Sequence, residues 1–164
     1  MIVKFISYFS VFVSSLVLTL VLTPVVREMN RRLGMVDAPD KRRINKVPIP
    51  RGGGLAVVLG MALPYLAALY FLPGAEWLAD TGSRVPLRLG LLASLMALLG
   101  YVDDRFSLRP LIKLAGQVLI SFGAWWWAGV GFHEIFPSLP AWADCLITMF
   151  WIVGAVNAFN LIDG

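Results

Sequence analysis

Phe5-Ile-Ser-Tyr-Phe-Ser-Val-Phe-Val-Ser-Ser-Leu-Val-Leu-Thr-Leu-Val-Leu-Thr-Pro-Val-Val26 holds nothing more polar than serine, threonine and tyrosine over 22 residues. At about 1.5 Å per residue, a helix of that length crosses the roughly 30 Å hydrocarbon core of a bilayer. A cleaved leader is the other reading of such a run. It is rejected because a leader's apolar part is usually about 7 to 15 residues, only Lys4 precedes this one, and no small-residue cleavage site follows. The whole chain agrees: 59% of residues are hydrophobic and 15% charged, against roughly a quarter charged in globular domains. Lys+Arg exceed Asp+Glu by 14 to 10, and the basic residues are clustered. That pattern speaks of membrane topology and argues against a nucleic-acid partner. The single cysteine, Cys145, leaves no intrachain disulfide or cysteine-based zinc site and reads as a small buried hydrophobe.

Outward from this first span the chain reads as one all-α polytopic membrane bundle, residues 1–164, of about five helices near 5–26, 55–72, 85–102, 111–132 and 141–159. The third is the weakest, because Leu89 to Val102 is short and must borrow residues 85–88 while Arg88 snorkels outward. Segments 27–54 and 103–110 are read as loops. Arg27, Arg31, Arg32, Lys41, Arg42, Arg43, Lys46 and Arg51 fall in the first of them, and Arg105, Arg109 and Lys113 lie in or beside the second. Only Arg84 and Arg88 lie in the intervening connection, and the last connection has no Lys or Arg. The positive-inside rule therefore puts the amino terminus outside and both basic loops in the cytoplasm.

Two polar edges then share that cytoplasmic side: Gly100-Tyr-Val-Asp103-Asp104-Arg105, and Asn157-Ala-Phe-Asn160-Leu-Ile-Asp163-Gly164. A charge near the bilayer centre costs about 2.5 to 3.5 kcal/mol, so such residues persist where they meet water, a partner or a substrate. Asn157, Asn160 and Asp163 recur every third residue, which places them on one face of a helix end. Together with Asp103 and Asp104 they form an oxygen-rich rim suited to Mg2+, which takes one or two carboxylates and completes its shell with water and phosphates. Arg105, Lys113 and the long first loop ending at Arg51 would hold the remaining phosphate charge. A metal-assisted phosphoryl-group site is the physical reading. Each element also has a plain structural reading. The Asp-Asp turn can be a solvated loop, and Asn157 and Asn160 can be interhelical hydrogen-bond glue. Gly52-Gly53-Gly54 can admit a phosphate to a helix start or merely allow close packing. Trp125, Trp126 and Trp127 read as an interfacial belt, and His133 as an outer surface residue.

Taken together, Asp37-Ala-Pro-Asp40, Lys41-Arg-Arg-Ile-Asn45-Lys-Val-Pro48-Ile-Pro50-Arg51-Gly52-Gly53 and the two edges resemble successive motifs of the polyprenyl-phosphate N-acetylhexosamine-1-phosphate transferases. Their wording is nearer to the bacterial undecaprenyl-phosphate N-acetylglucosamine branch. The resemblance implies transfer of a sugar 1-phosphate from a UDP-sugar to undecaprenyl phosphate, releasing UMP, with Mg2+ or Mn2+. This would be the first membrane step of cell-envelope polysaccharide synthesis, at the cytoplasmic face of the inner membrane. By position it implies Asp103 and Asp104 as catalytic residues handling the lipid phosphate, Asp163 as metal ligand, and Asn157, Asn160, Lys113 and Arg51 as substrate-binding residues. Asn45 stands where the family commonly has a histidine. Family members also continue through further helices and cytoplasmic loops. The expectation is an amino-terminal half, completed by a missing carboxyl-terminal half or by another polypeptide such as a second copy. A small transporter and a non-catalytic membrane interaction fragment are the alternatives. The first would show ion flux without a UDP-sugar, and the second would tolerate loss of Asp103 and Asp163.

Overall fold

The structure, a computed structural model, describes residues 2–37, 49–71 and 85–163. Among them the chain forms α1 (Ile2–Arg32), a minimal ladder of β1 (Val36–Asp37) and β2 (Ile49–Pro50), α2 (Gly54–Phe71), α3 (Val85–Phe106), α4 (Pro110–Trp126) and α5 (Ala141–Asp163). A 3₁₀ turn at Phe132–Glu134 lies between α4 and α5. Lys41, Arg42, Arg43, Asn45, Lys46 and the 72–84 connection with Arg84 lie outside the described residues.

Among the described residues four helices are long and apolar enough to cross a membrane: Phe5–Arg32, Gly54–Phe71, Val85–Phe106 and Ala141–Leu161, with mean hydropathies of 2.3, 1.9, 1.8 and 1.5. Their large apolar side chains, Phe12, Leu20, Leu98 and Phe150 among them, stand exposed on the helix surfaces. In water that arrangement would be costly, whereas in hydrocarbon those faces need no protein partner. The expected span near 111–132 is shorter than its reading. α4 has 17 residues, about 25 Å and near the lower limit for a crossing. It stops at Trp126 because the chain then turns through Gly129, whose φ of 73° belongs to the left-handed region.

Two expected boundaries move. α1 continues through Pro24 to Arg32, so Arg27, Arg31 and Arg32 are helical and not part of a loop. Arg31 and Arg32 both reach Glu28, each at 2.8 Å. α3 likewise runs through Asp103, Asp104 and Arg105 to Phe106, so the Asp-Asp-Arg stretch is a helix end instead of a turn. Ser107 closes it: its φ is 51°, and its N–H donates to the Asp103 carbonyl at 2.8 Å. This is the left-handed cap that satisfies an orphan carbonyl at a helix terminus.

The chain falls into two compact units, residues 1–81 with 100–107, and residues 82–99 with 108–164. In the first, α1 and α2 pack where Gly60 meets Thr19. A methyl group at Gly60 would stand 2.9 Å from the Thr19 Cα, so only a residue without a side chain permits this approach. Ala68 packs nearby against Val11, Tyr65 and Leu69. In the second, α4 offers two glycine notches seven residues apart. Leu99 sits on Gly116 and Leu92 on Gly123, at 2.8 and 3.1 Å from where a Cβ would be. Leu92, Ala124 and Ala128 then form a small core with Leu89, Ile120, Val130 and Ile152.

Candidate functional site

The first unit gathers Arg51 and the Asp103–Asp104 helix end around one side chain. Asn30, in the last turn of α1, is 0% exposed. Its Nδ2 donates to the Arg51 carbonyl at 2.8 Å, and the Tyr101 hydroxyl donates to its Oδ1 over a long 3.4 Å. Its own carbonyl accepts the Met35 N–H at 2.9 Å, and Arg51 N–H donates to the Met35 carbonyl at 2.9 Å. The chain thus leaves at Val36–Asp37 and returns at Ile49–Pro50, directly paired, and is tied to α1 at the base of that excursion.

Gly52 follows with a φ of 80°, and a Cβ there would lie 2.6 Å from Asn30 Nδ2 and 3.3 Å from Tyr101 Cε2. Both the left-handed backbone and the lack of space demand glycine. Gly53 and Gly54, by contrast, have open space where a Cβ would go. Of the triple glycine, then, the first serves close packing, and α2 begins at the third. Asp103 and Asp104 are half-buried and Arg105 is exposed, its guanidinium 5.6 Å from the Phe106 ring. Tyr101 precedes Asp104 by three positions, so both lie on one side of α3.

The second unit holds Lys113, Asn157, Asn160 and Asp163. Lys113 is half-buried in the first turns of α4 and Asn160 is exposed on α5. The side chain of Asp163 is outside the described residues. Asn157 donates from Nδ2 to Gln117 Oε1 at 2.7 Å and to the Val153 carbonyl at 2.8 Å. Gln117 is 1% exposed and lies one helical turn from Lys113, so the Asn157 amide joins α5 to the side of α4 that carries the lysine. The glue reading of Asn157 is therefore realised in the structure. A shallow apolar groove of about 320 Å³ beside it is lined by Val118, Leu146, Met149, Phe150, Val153 and Gly154.

At the other end of α5, His133 is an exposed residue as expected, and it has a partner that the sequence did not show. Asp144, 2% exposed, accepts Trp125 Nε1–H at 2.7 Å and His133 N–H at 3.0 Å, and His133 Nδ1 lies 2.8 Å from its Oδ2. Gly131 makes room, since a Cβ there would stand 2.5 Å from Asp144 Oδ2. Trp125 is thus an inward hydrogen-bond donor more than a belt residue. Arg88 does not simply snorkel either: its Nη1 donates to the Trp127 carbonyl at 2.6 Å, with its guanidinium 5.6 Å from the Trp127 ring. Asn30 and this Asp144 cluster are the residues that sequence reasoning did not single out. An asparagine and an aspartate in the end turns of long apolar helices were the available signals.

Several apolar helices, with carboxylates and amides gathered near helix ends, define a multi-pass membrane protein with polar sites at its borders. Residues 87–164 match the family model described as Glycosyl transferase family 4. Over 161 residues the chain is 30% identical to the probable undecaprenyl-phosphate N-acetylglucosaminyl 1-phosphate transferase of Bacillus subtilis, covering 93% of this chain and 41% of that protein. It is 33% identical over 160 residues to the decaprenyl-phosphate N-acetylglucosaminephosphotransferase of Mycobacterium tuberculosis, covering 90% and 38%. A third relative is the undecaprenyl-phosphate alpha-N-acetylglucosaminyl 1-phosphate transferase of Escherichia coli, 30% identical over 150 residues, covering 84% and 36%. The chain spans about two fifths of the length of these curated relatives. No solved structure matches it.

Proposed function

We propose that this chain supplies the amino-terminal part of a membrane transferase that moves N-acetylglucosamine 1-phosphate from a UDP-sugar to undecaprenyl phosphate, releasing UMP. The observation that carries the reading is the similarity, over most of this chain, to relatives all named as N-acetylglucosamine-1-phosphate transferases acting on a polyprenyl phosphate. The geometry supports it: the carboxylate pair and the Arg51–Gly52 turn share one unit. The working face is the cytoplasmic side of the inner membrane, where the positive-inside rule puts the basic loops. The step would open cell-envelope polysaccharide synthesis.

In the proposed reaction, an oxygen of the lipid phosphate attacks the phosphorus attached to the sugar. The bond from that phosphorus to UMP breaks, UMP leaves with the electron pair, and a lipid diphosphate sugar forms. Asp103 and Asp104 handle the lipid phosphate, taking its proton where it carries one. Arg51 and Lys113 bind phosphate oxygens, and Asn157 and Asn160 shape the site. Asp163 would be the residue that holds Mg2+ or Mn2+. Among the described residues no three His, Cys, Asp or Glu side chains form a cluster. Carboxylate oxygens suit an ion that takes one or two of them and fills its shell with water and phosphate. When bound, such an ion neutralises phosphate charge in the transition state.

The full-length protein in detergent, given UDP-N-acetylglucosamine, undecaprenyl phosphate and Mg2+, should release UMP mole for mole with lipid-linked sugar phosphate. Chelation should stop it, and added Mg2+ or Mn2+ should restore it. UMP release that ignores the lipid, or no release at all, would overturn the reading.

A further inference from the structure

The geometry points to Asn30 as a positioning residue for this chemistry, an inference that rests on the transferase reading. Asn30 is wholly buried, so it acts through its neighbours and not on substrate. What it does touch is both segments that carry candidate site residues. Its Nδ2 holds the Arg51 carbonyl at 2.8 Å and its Oδ1 receives the Tyr101 hydroxyl at 3.4 Å. Gly52 lies beside Asn30 and Tyr101, with no room for a side chain.

Asn30 is thus the common anchor of the turn that presents Arg51 and of the last turns of α3. Fixing Tyr101 fixes the rotation of α3, and with it the direction in which Asp104, three residues on, leaves the helix. An amide suits the role because it offers a donor to one segment and an acceptor to the other at the same time. Aspartate keeps only the acceptor, and alanine keeps neither. The consequence expected of release is a misplacement of the carboxylates against the bound phosphates. A displacement on the order of 1 Å costs about a hundredfold in rate.

The test uses the full-length chain. Asn30→Ala and Asn30→Asp should lower kcat about ten- to a hundredfold per folded molecule, with KM for the UDP-sugar changed much less. Tyr101→Phe, which removes a single oxygen, should lower kcat a few-fold and covers the case in which the Asn30 variants do not fold. Asn30→Ala combined with Tyr101→Phe should be no worse than Asn30→Ala alone, because both act through one connection. A lesion elsewhere in the same unit, Gly60→Ala, should lower the melting temperature while leaving kcat per folded molecule intact.

A second readout is independent of catalysis. With Cys145 and any further cysteine of the full-length chain replaced by alanine, Met35→Cys places a thiol at a buried position whose carbonyl holds the Arg51 N–H, and its maleimide labelling should quicken several-fold when Asn30→Ala is added. Unchanged labelling would overturn the coupling, and unchanged kcat with quicker labelling would overturn its role in positioning. A wild-type chain without transfer activity would overturn the transferase reading and the positioning role together, with the labelling still deciding whether Asn30 couples the two segments.

Discussion

Asp144 and the Asp103–Asp104 pair are all carboxylates set in apolar helices, yet the fold treats them in opposite ways. Asp144 sits in the first turn of α5, where a negative charge is favoured by the helix dipole, and is 2% exposed. Trp125 Nε1, the His133 N–H and the His133 ring surround it, a set that clamps the α4–α5 connection shut. Asp103 and Asp104 stand half-buried at the carboxyl end of α3, where the dipole disfavours negative charge. That position is costly for the fold and suits a group whose partner is a cation or a protonated phosphate. Asp144 is closed off from solvent within the α4–α5 connection, whereas Asp103 and Asp104 keep part of their surface open at a helix end and are candidates for chemistry.

The largest effect expected from breaking this contrast is on turnover. Asp103→Asn should lower kcat/KM of the full-length enzyme by about a hundredfold or more, with its melting temperature nearly unchanged, read by UMP release and thermal unfolding in detergent. Asp144→Ala should do the reverse. It strands the buried Trp125 Nε1–H and the His133 donors, costing about 2 to 3 kcal/mol of stability, seen as a lowered melting temperature with kcat per folded molecule preserved. Gly60→Ala should cost about 1 to 3 kcal/mol, since the added methyl meets the Thr19 backbone at 2.9 Å. The smallest change should be a gain: Ser107→Gly relieves a left-handed residue at the α3 cap and should add roughly 0.5 to 1 kcal/mol.

Much of this was legible from hydropathy. The run from Phe5 to Val26 lies within α1, and those of 85–102 and 141–159 lie within α3 and α5, because about twenty apolar residues in a row are stable in a bilayer as a helix. Helix ends were less legible. Charges at Asp103, Asp104 and Arg105 suggested a turn, but nothing in them breaks a helix, and the backbone continues until Ser107 adopts a positive φ. Pro24 in turn did not end α1, since a proline is tolerated within a membrane helix. Of the candidate site, the Asp103–Asp104 pair was readable as charge at an apolar border. The Asn30–Tyr101 contact was not, because it joins residues 71 positions apart through a side chain with no periodic signature. The glycine notches under Leu92 and Leu99 escaped notice for a similar reason: they follow from the pairing of α3 with α4, which no single helix records.

The most direct measurement compares Asp104→Asn with Asp144→Asn in the full-length protein, purified side by side and normalised to folded material. The account predicts that Asp104→Asn loses transfer of N-acetylglucosamine 1-phosphate by about a hundredfold or more and melts like the wild type, while Asp144→Asn melts lower and turns over normally. Normal turnover in Asp104→Asn, or a catalytic defect in folded Asp144→Asn as deep as that expected of Asp104→Asn, would contradict it.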